Sequence, residues 1–506
     1  MPTKPTYSSR PPYPHFIISF RGYALLATSL LFVASLLSSN PVSAESNPLT
    51  QQLERIKDQA CVGAVAYALV EGNKIVTMGG IGSYGNDNDR PVTEASLFRI
   101  GSITKTFTSL AIMRLVDQGK CQLDQPIKTI VRDSPLHNPW SETPVTLAML
   151  LEHTAGLQDL TREEFDYPEP LSLQDALNLK PETRKVHWPP GYHYSYSNLG
   201  AGYVGRAIEI ITKEEYDTWF EGEILAVLDM RDSQLHWTKT LEQSLVSGYD
   251  ADLKTKIPYW HTLFRPFGGL NTTARDMTKF LFLFTDESTA SKKLFSASAI
   301  KRMETPETTL AAKAGLNTGY GLGIRNTLFK GHRIYGHGGD ADGYLAEFAY
   351  SKESHRGYFV VINAFRHDIL EDFTGPLNDW LIEELAGQPD AEEIASQAPS
   401  DPLPRERRLA LSGEYREVTT RFPFRTNQQA ETVQIRDIDN ALFKCRTNTD
   451  QCKKILAVTD ALFRTEDETD ASMAFVKAPD GNLYLQAESG NYQKTNTTSL
   501  ETREAR

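Results

Sequence analysis

Apolar residues follow two periods along this chain: tight alternation near the beginning and again past the middle, and helical spacing between. Residues 62–70 and 74–79 read as two strands joined by a turn at Glu71-Gly72-Asn73, after a helix that ends over 51–59. Ile103, Phe107, Leu110 and Met113 share one helical face, which predicts a helix over 102–118 with Gly119 as its terminator. From 122 to 318 no steady alternation appears, and helices and loops are expected. Within that stretch Thr273 and Asp276 mark a capped helix start. Strands return at 333–335, 345–350 and 358–363, and a helix over 370–385 carries Pro376 as an irregularity near its start.

Residues 388–405 are rich in proline, alanine and acids and poor in apolar side chains, the composition of a linker. Short strands follow at 412–415, 433–438, 455–458, 474–476 and 483–486, with Pro479-Asp480-Gly481 as a turn. They predict a small antiparallel β-barrel. The expected fold is therefore mixed α/β, an antiparallel sheet drawn from both ends of a first domain, flanked by helices and carrying an all-helical insertion. The expected divisions are 1–44, 45–387, 388–405 and 406–506.

With 506 residues, 40% apolar and 23% charged, the chain has ample material for two cores. A net charge of −12 without any basic run argues against nucleic acid as a partner. Arg10 and Arg21 precede an apolar stretch over 23–37, and Val42-Ser43-Ala44 supplies small residues for signal cleavage. Export to the periplasm or medium is expected, with cleavage near Ala44 and no stable membrane span afterwards. The stretch is short for a span; an uncleaved N-terminal anchor is the alternative. Four cysteines suit an oxidising compartment. Cys445 and Cys452 are close enough to close a small loop. Cys61 and Cys121 are either a second pair or two buried thiols. No Cys/His spacing suggests a metal, and no cofactor is expected.

Three short motifs stand in a fixed order: Ser102-Ile-Thr-Lys105, Tyr196-Ser-Asn198 and His337-Gly338-Gly339. Each alone is weak, since Ser298 and Lys301 repeat the first spacing and Tyr84 and Asn86 the second. At the start of a helix Ser102 and Lys105 share one face, so the amine lies beside the hydroxyl. A serine becomes a nucleophile when a neighbour takes its proton, and a lysine can do so once its pKa falls. Tyr196 is expected to relay protons with its own pKa lowered by the lysine, and Asn198 to orient Lys105 and a substrate carbonyl. The glycines bare backbone amides, and an oxyanion hole is expected from the N–H groups of Ser102 and Asp340.

The ordered set resembles the class C β-lactamase superfamily, which includes penicillin-binding DD-peptidases, D-aminopeptidases and esterases. Leu97-Phe-Arg-Ile-Gly-Ser102, Leu151-Glu-His-Thr-Ala-Gly-Leu157, Pro190-Gly-Tyr-His-Tyr-Ser-Tyr-Ser-Asn198, Gly268-Gly-Leu270 and Tyr320-Gly-Leu-Gly323 extend the likeness over about residues 50 to 386. The resemblance implies an acyl-enzyme on Ser102, proton transfer by Lys105 and Tyr196, and a structural rather than catalytic His153. It also likens the C-terminal unit to lipocalin-like domains. Where β-lactamases carry Lys-Thr-Gly, this chain has His337-Gly338-Gly339, so capture of a substrate carboxylate should weaken. The expected partner is a small ester, amide or peptide, D-configured and cell-wall-derived compounds included. Alternatives are a penicillin-binding carboxypeptidase or weak β-lactamase, and a catalytically silent protein that binds cell-wall fragments or a partner.

Overall fold

The computed structural model describes residues 47–165, 167, 169–286, 295–385, 403–419, 421–422, 430–446, 451–488 and 490–495. The expected signal segment and most of the expected linker lie outside these residues. Among the described residues no helix is long and apolar enough to cross a membrane.

The chain opens with helix α1 (Pro48–Ala60) and strands β1 (Ala64–Glu71), β2 (Lys74–Gly85) and β3 (Asn88–Pro91). Gly72 turns β1 into β2 with φ at +55°, at the position the sequence suggests. A short pair follows, β4 (Phe98–Arg99) with β5 (Asn271–Thr272). It frames helix α2 (Thr104–Asp117) and the helical insertion. Beyond the insertion come β6 (Gly319–Tyr320), β7 (Arg325–Phe329), β8 (His332–Ala341), β9 (Tyr344–Ser351) and β10 (Arg356–Ile362). The sheet runs β3-β2-β1-β10-β9-β8-β7-β6, so strands from the two ends of the domain meet where β1 pairs antiparallel with β10.

Alternation along β1 sends side chains into two layers. Val65, Tyr67 and Leu69 join Leu53 of α1 and Phe373, Leu377 and Leu381 of the helix His367–Ile382. Ala64, Ala66, Ala68 and Val70 face Phe107 of α2 and Phe280 and Phe284 of the helix Ala274–Thr285. Small alanines on that face let the helix lie close to the strand. The sheet is thus covered on both sides, as its near-continuous burial requires.

One expectation needs correction, and one open alternative is decided. The strand expected over 333–335 extends over the ten residues of β8, through the His337-Gly338-Gly339 motif. Glycines carry no side chain to alternate, so the period of two is lost there although the backbone pairs fully with β9. Cys61 and Cys121 are two free thiols and not a pair, and only Cys121 is buried, Cys61 being exposed at the end of α1. Cys445 and Cys452 do form a disulfide, between paired strands.

The C-terminal unit begins with the helix Arg405–Leu411 and closes eight strands into a barrel: β11 (Gly413–Glu417), β12 (Thr432–Ile438), β13 (Ala441–Arg446), β14 (Cys452–Ala457), β15 (Leu462–Thr465), β16 (Met473–Lys477), β17 (Leu483–Ala487) and β18 (Asn491–Lys494). Tyr415, Ile435, Phe463, Phe475 and Leu485 pack together as its core. A second cluster joins Leu462, Val476 and Tyr484 of the barrel to Ala311 and Leu316 of the first domain.

Candidate active site

Ser102 lies in a 3-10 turn, Gly101–Ile103, that feeds directly into α2. Gly101 adopts φ of +49°, and a Cβ there would stand 2.4 Å from the Asp340 carbonyl oxygen. On the facing strand a Cβ on Gly339 would stand 1.9 Å from the Ile100 carbonyl oxygen. The absence of both side chains lets β8 press against the turn that carries Ser102. Strand β7 pairs with β8 only as far as Arg325 opposite Gly336, so from His337 onward that edge of β8 has no ladder to β7.

One helical turn past Ser102, Lys105 is 4% exposed. Its Nζ lies 3.0 Å from Ser102 Oγ and donates to the Phe267 carbonyl at 2.9 Å. Burial holds the amine well below the usual lysine range; the carboxylates of Asp159 and Asp340 oppose the shift and Arg421 adds to it. A neutral amine beside the hydroxyl can accept its proton.

Tyr196 is near both groups, with Lys105 Nζ 5.0 Å from its ring centroid. Burial raises its phenol above the ordinary tyrosine value, against the opposing influence of Arg421 and of a hydrogen bond with Ser102. The expected depression of Tyr196 is therefore reversed: desolvation outweighs the neighbouring positive charge, and the group rests as a phenol. Asn198 also departs from expectation. Its backbone N–H and its Nδ2 donate to the two oxygens of Asp159, at 2.7 and 3.2 Å, and its Oδ1 is buried without a partner. Lys105 is not among its hydrogen-bond partners.

His337 is buried, and its Nε2 accepts from the Tyr320 hydroxyl at 2.6 Å while Nδ1 meets the Gly338 carbonyl. Burial, followed by the charge of Arg325, lowers its pKa to about 3. It is a neutral imidazole, as its replacement of lysine suggests. Gly338 is open towards its surroundings, and Asp340 is exposed with its carboxylate 3.1 Å from His367 Nε2. His153 has φ of +58°, and its Nδ1 accepts the Ser197 N–H at 3.1 Å. Its ring centroid lies 4.1 Å from that of Tyr196, so the imidazole packs against the tyrosine.

Several residues of the site escape a reading of motifs. Tyr320 lies in a recognisable segment but shows no chemistry until it meets His337. Phe267 serves through its carbonyl, a group every residue has. Asp159, Arg325 and Arg421 carry no sequence signal at all. Arg325 begins β7, is exposed, and its charge acts on Tyr194, Tyr320, Tyr196 and His337. Arg421 comes from the barrel; its guanidinium lies 4.4 Å from the Tyr196 ring centroid, and its Nε donates to Asp159 at 3.0 Å. The barrel also brackets the residue two places before Tyr196, because Asn491 accepts the Tyr194 N–H at 3.3 Å and donates to its carbonyl at 2.7 Å.

The chain is similar to known proteins in sequence and in fold. Penicillin-binding protein 4 of Amycolatopsis lactamdurans is 25% identical over 325 residues, covering 62% of this chain and 83% of the relative. The D-alanyl-D-alanine-carboxypeptidase/endopeptidase AmpH of Escherichia coli K12 is 28% identical over 226 residues, 42% of this chain and only 56% of AmpH. The octameric penicillin-binding protein homologue from Pyrococcus abyssi superposes with a TM-score of 0.57 at 20% identity, covering 88% of this chain and 99% of that structure. The latter shows a shared fold, barrel included in the extent of the match. The Beta-lactamase family model matches residues 49–373, and the chain belongs to that family as a serine hydrolase.

Proposed function

We propose that the protein is an exported hydrolase that cleaves an amide, peptide or ester bond through an acyl-enzyme on Ser102, with D-configured substrates among its targets. The observation that carries this reading is the 3.0 Å approach of a buried, pKa-depressed Lys105 to Ser102 Oγ. In the first step Oγ bonds to the substrate carbonyl carbon while its proton passes to the neutral Lys105 Nζ. The carbonyl oxygen takes the negative charge, facing the N–H groups of Ser102 and Asp340. Tyr196 then gives its phenolic proton to the leaving nitrogen or oxygen as the carbon–heteroatom bond breaks, and recovers one from Lys105. Water attacks the ester, with the same groups working in reverse, and frees Ser102.

The test is intact-protein mass spectrometry after brief exposure to a fluorophosphonate. One adduct that disappears in Ser102→Ala supports the reading; equal labelling of the variant, or none in the wild type, sinks it.

A second reading, a penicillin-binding carboxypeptidase, draws on Arg325. His337 is uncharged, but the permanent charge of Arg325 acts on His337 and Tyr196, and a guanidinium can pair with a substrate carboxylate. AmpH, by its name, acts on D-alanyl-D-alanine. Penicilloyl labelling at Ser102 favours this narrower activity; its absence alongside fluorophosphonate labelling favours the broader one.

A further inference from the structure

The barrel contributes a charged residue to the catalytic centre, and its contacts make a chain that ends on Asn198 and Tyr196. Asp159 is the middle link. Its side chain is fully buried, and its Oδ1 accepts N–H groups from Leu160 at 2.9 Å and Asn198 at 2.7 Å, while Oδ2 accepts from Asn198 Nδ2. Asn198 opens the helix Asn198–Thr212, so Asp159 satisfies a backbone N–H that the helix itself leaves unpaired. Arg421 Nε donates to Asp159 Oδ2 at 3.0 Å, and the Arg421 carbonyl accepts the Asp159 N–H at 2.9 Å, which fixes the two segments at both backbone and side chain. Phe422 extends the contact by packing on Phe165, with ring centroids 5.9 Å apart. The same guanidinium then lies over Tyr196, where its charge favours a phenolate once the tyrosine has given up its proton.

We propose that Arg421 is a positioning residue for hydrolysis: through Asp159 it holds Asn198 at the start of its helix, and over the Tyr196 ring it steadies the proton relay, so that the barrel completes the active site. This inference rests on the Ser102 acyl-enzyme reading. It differs from a role in gripping substrate, because Nε is committed to Asp159 and the partners served are protein groups that any substrate needs.

The experiment uses the full chain, with Arg421→Ala, Arg421→Gln and Arg421→Lys assayed on a neutral p-nitroanilide, an amide without a carboxylate whose leaving nitrogen needs the Tyr196 proton. A displaced catalytic group far from the reacting bond commonly lowers turnover about 10- to 100-fold. Arg421→Ala and Arg421→Gln are expected to lose kcat on that scale with KM within about twofold, and to label more slowly with fluorophosphonate. Arg421→Lys, or methylguanidine added to Arg421→Ala, is expected to restore part of kcat. Rescue of turnover by a small cation is a readout that mere loss of folding cannot mimic. Unchanged kcat on the neutral anilide in both neutral variants overturns the proposal. So does a loss confined to KM for carboxylate substrates, which would make Arg421 a substrate receptor. Wild-type labelling at Ser102 is scored separately, so failure of the acyl-enzyme reading is distinguishable from failure of this one.

Discussion

Lys105 Nζ stands 3.0 Å from Ser102 Oγ in a site that leaves the lysine 4% exposed, and the desolvation that makes it a base also makes it a burden on the fold. Because its folded pKa lies below the unfolded value, the unfolded chain binds a proton that the folded chain does not. Its penalty is absent above the unfolded lysine pKa and grows as pH falls towards the folded one. Lys105→Met should therefore be inactive yet lose less stability than wild type as pH is lowered from alkaline towards neutral. Melting curves across that range check it. Lys105→Arg, a base that stays charged, should lose at least about 10²-fold in kcat.

Tyr196 rests as a phenol, which suits it to protonating a leaving group. A p-nitrophenolate leaves without such help, whereas an anilide nitrogen does not. Tyr196→Phe should thus lose about 10²- to 10⁴-fold in kcat on a p-nitroanilide and distinctly less on the matching p-nitrophenyl ester. Equal losses on both would remove the leaving-group role.

Arg325 is the exposed cation beside a neutral His337. If it receives a substrate carboxylate, Arg325→Ala should raise KM about tenfold for substrates that carry one and leave neutral esters unaffected. Steady-state kinetics on a paired acid and its amide decide the matter.

Gly338 and Gly339 are neighbours with opposite tolerances. A Cβ on Gly338 would find its nearest atom at 3.9 Å, whereas one on Gly339 would meet the Ile100 carbonyl oxygen at 1.9 Å. That oxygen belongs to backbone and cannot rotate away. Gly339→Ala should cost about 1–3 kcal/mol and slow fluorophosphonate labelling by shifting the Ser102 turn. Gly338→Ala should melt near the wild-type temperature.

What the sequence alone determined about this protein is what local spacing encodes. Ser102 and Lys105 meet because one helical turn separates them, β1 and β2 are legible because their side chains alternate, and the turn at Gly72 is legible because it needs a left-handed residue. The barrel was visible as a run of short strands, although β13, β15 and β18 lacked a distinct pattern. Tertiary structure alone decided the rest. Lys105 meets the Phe267 carbonyl across 162 residues, and Arg421 meets Asp159 across 262, distances over which no periodicity operates. Protonation was decided there too, because burial is a property of the folded surroundings: it turned Tyr196 into a resting phenol where sequence suggested a lowered pKa, and it made Lys105 a base. Spacing brings neighbours together along one element, while desolvation and long-range contact depend on where every other element comes to rest.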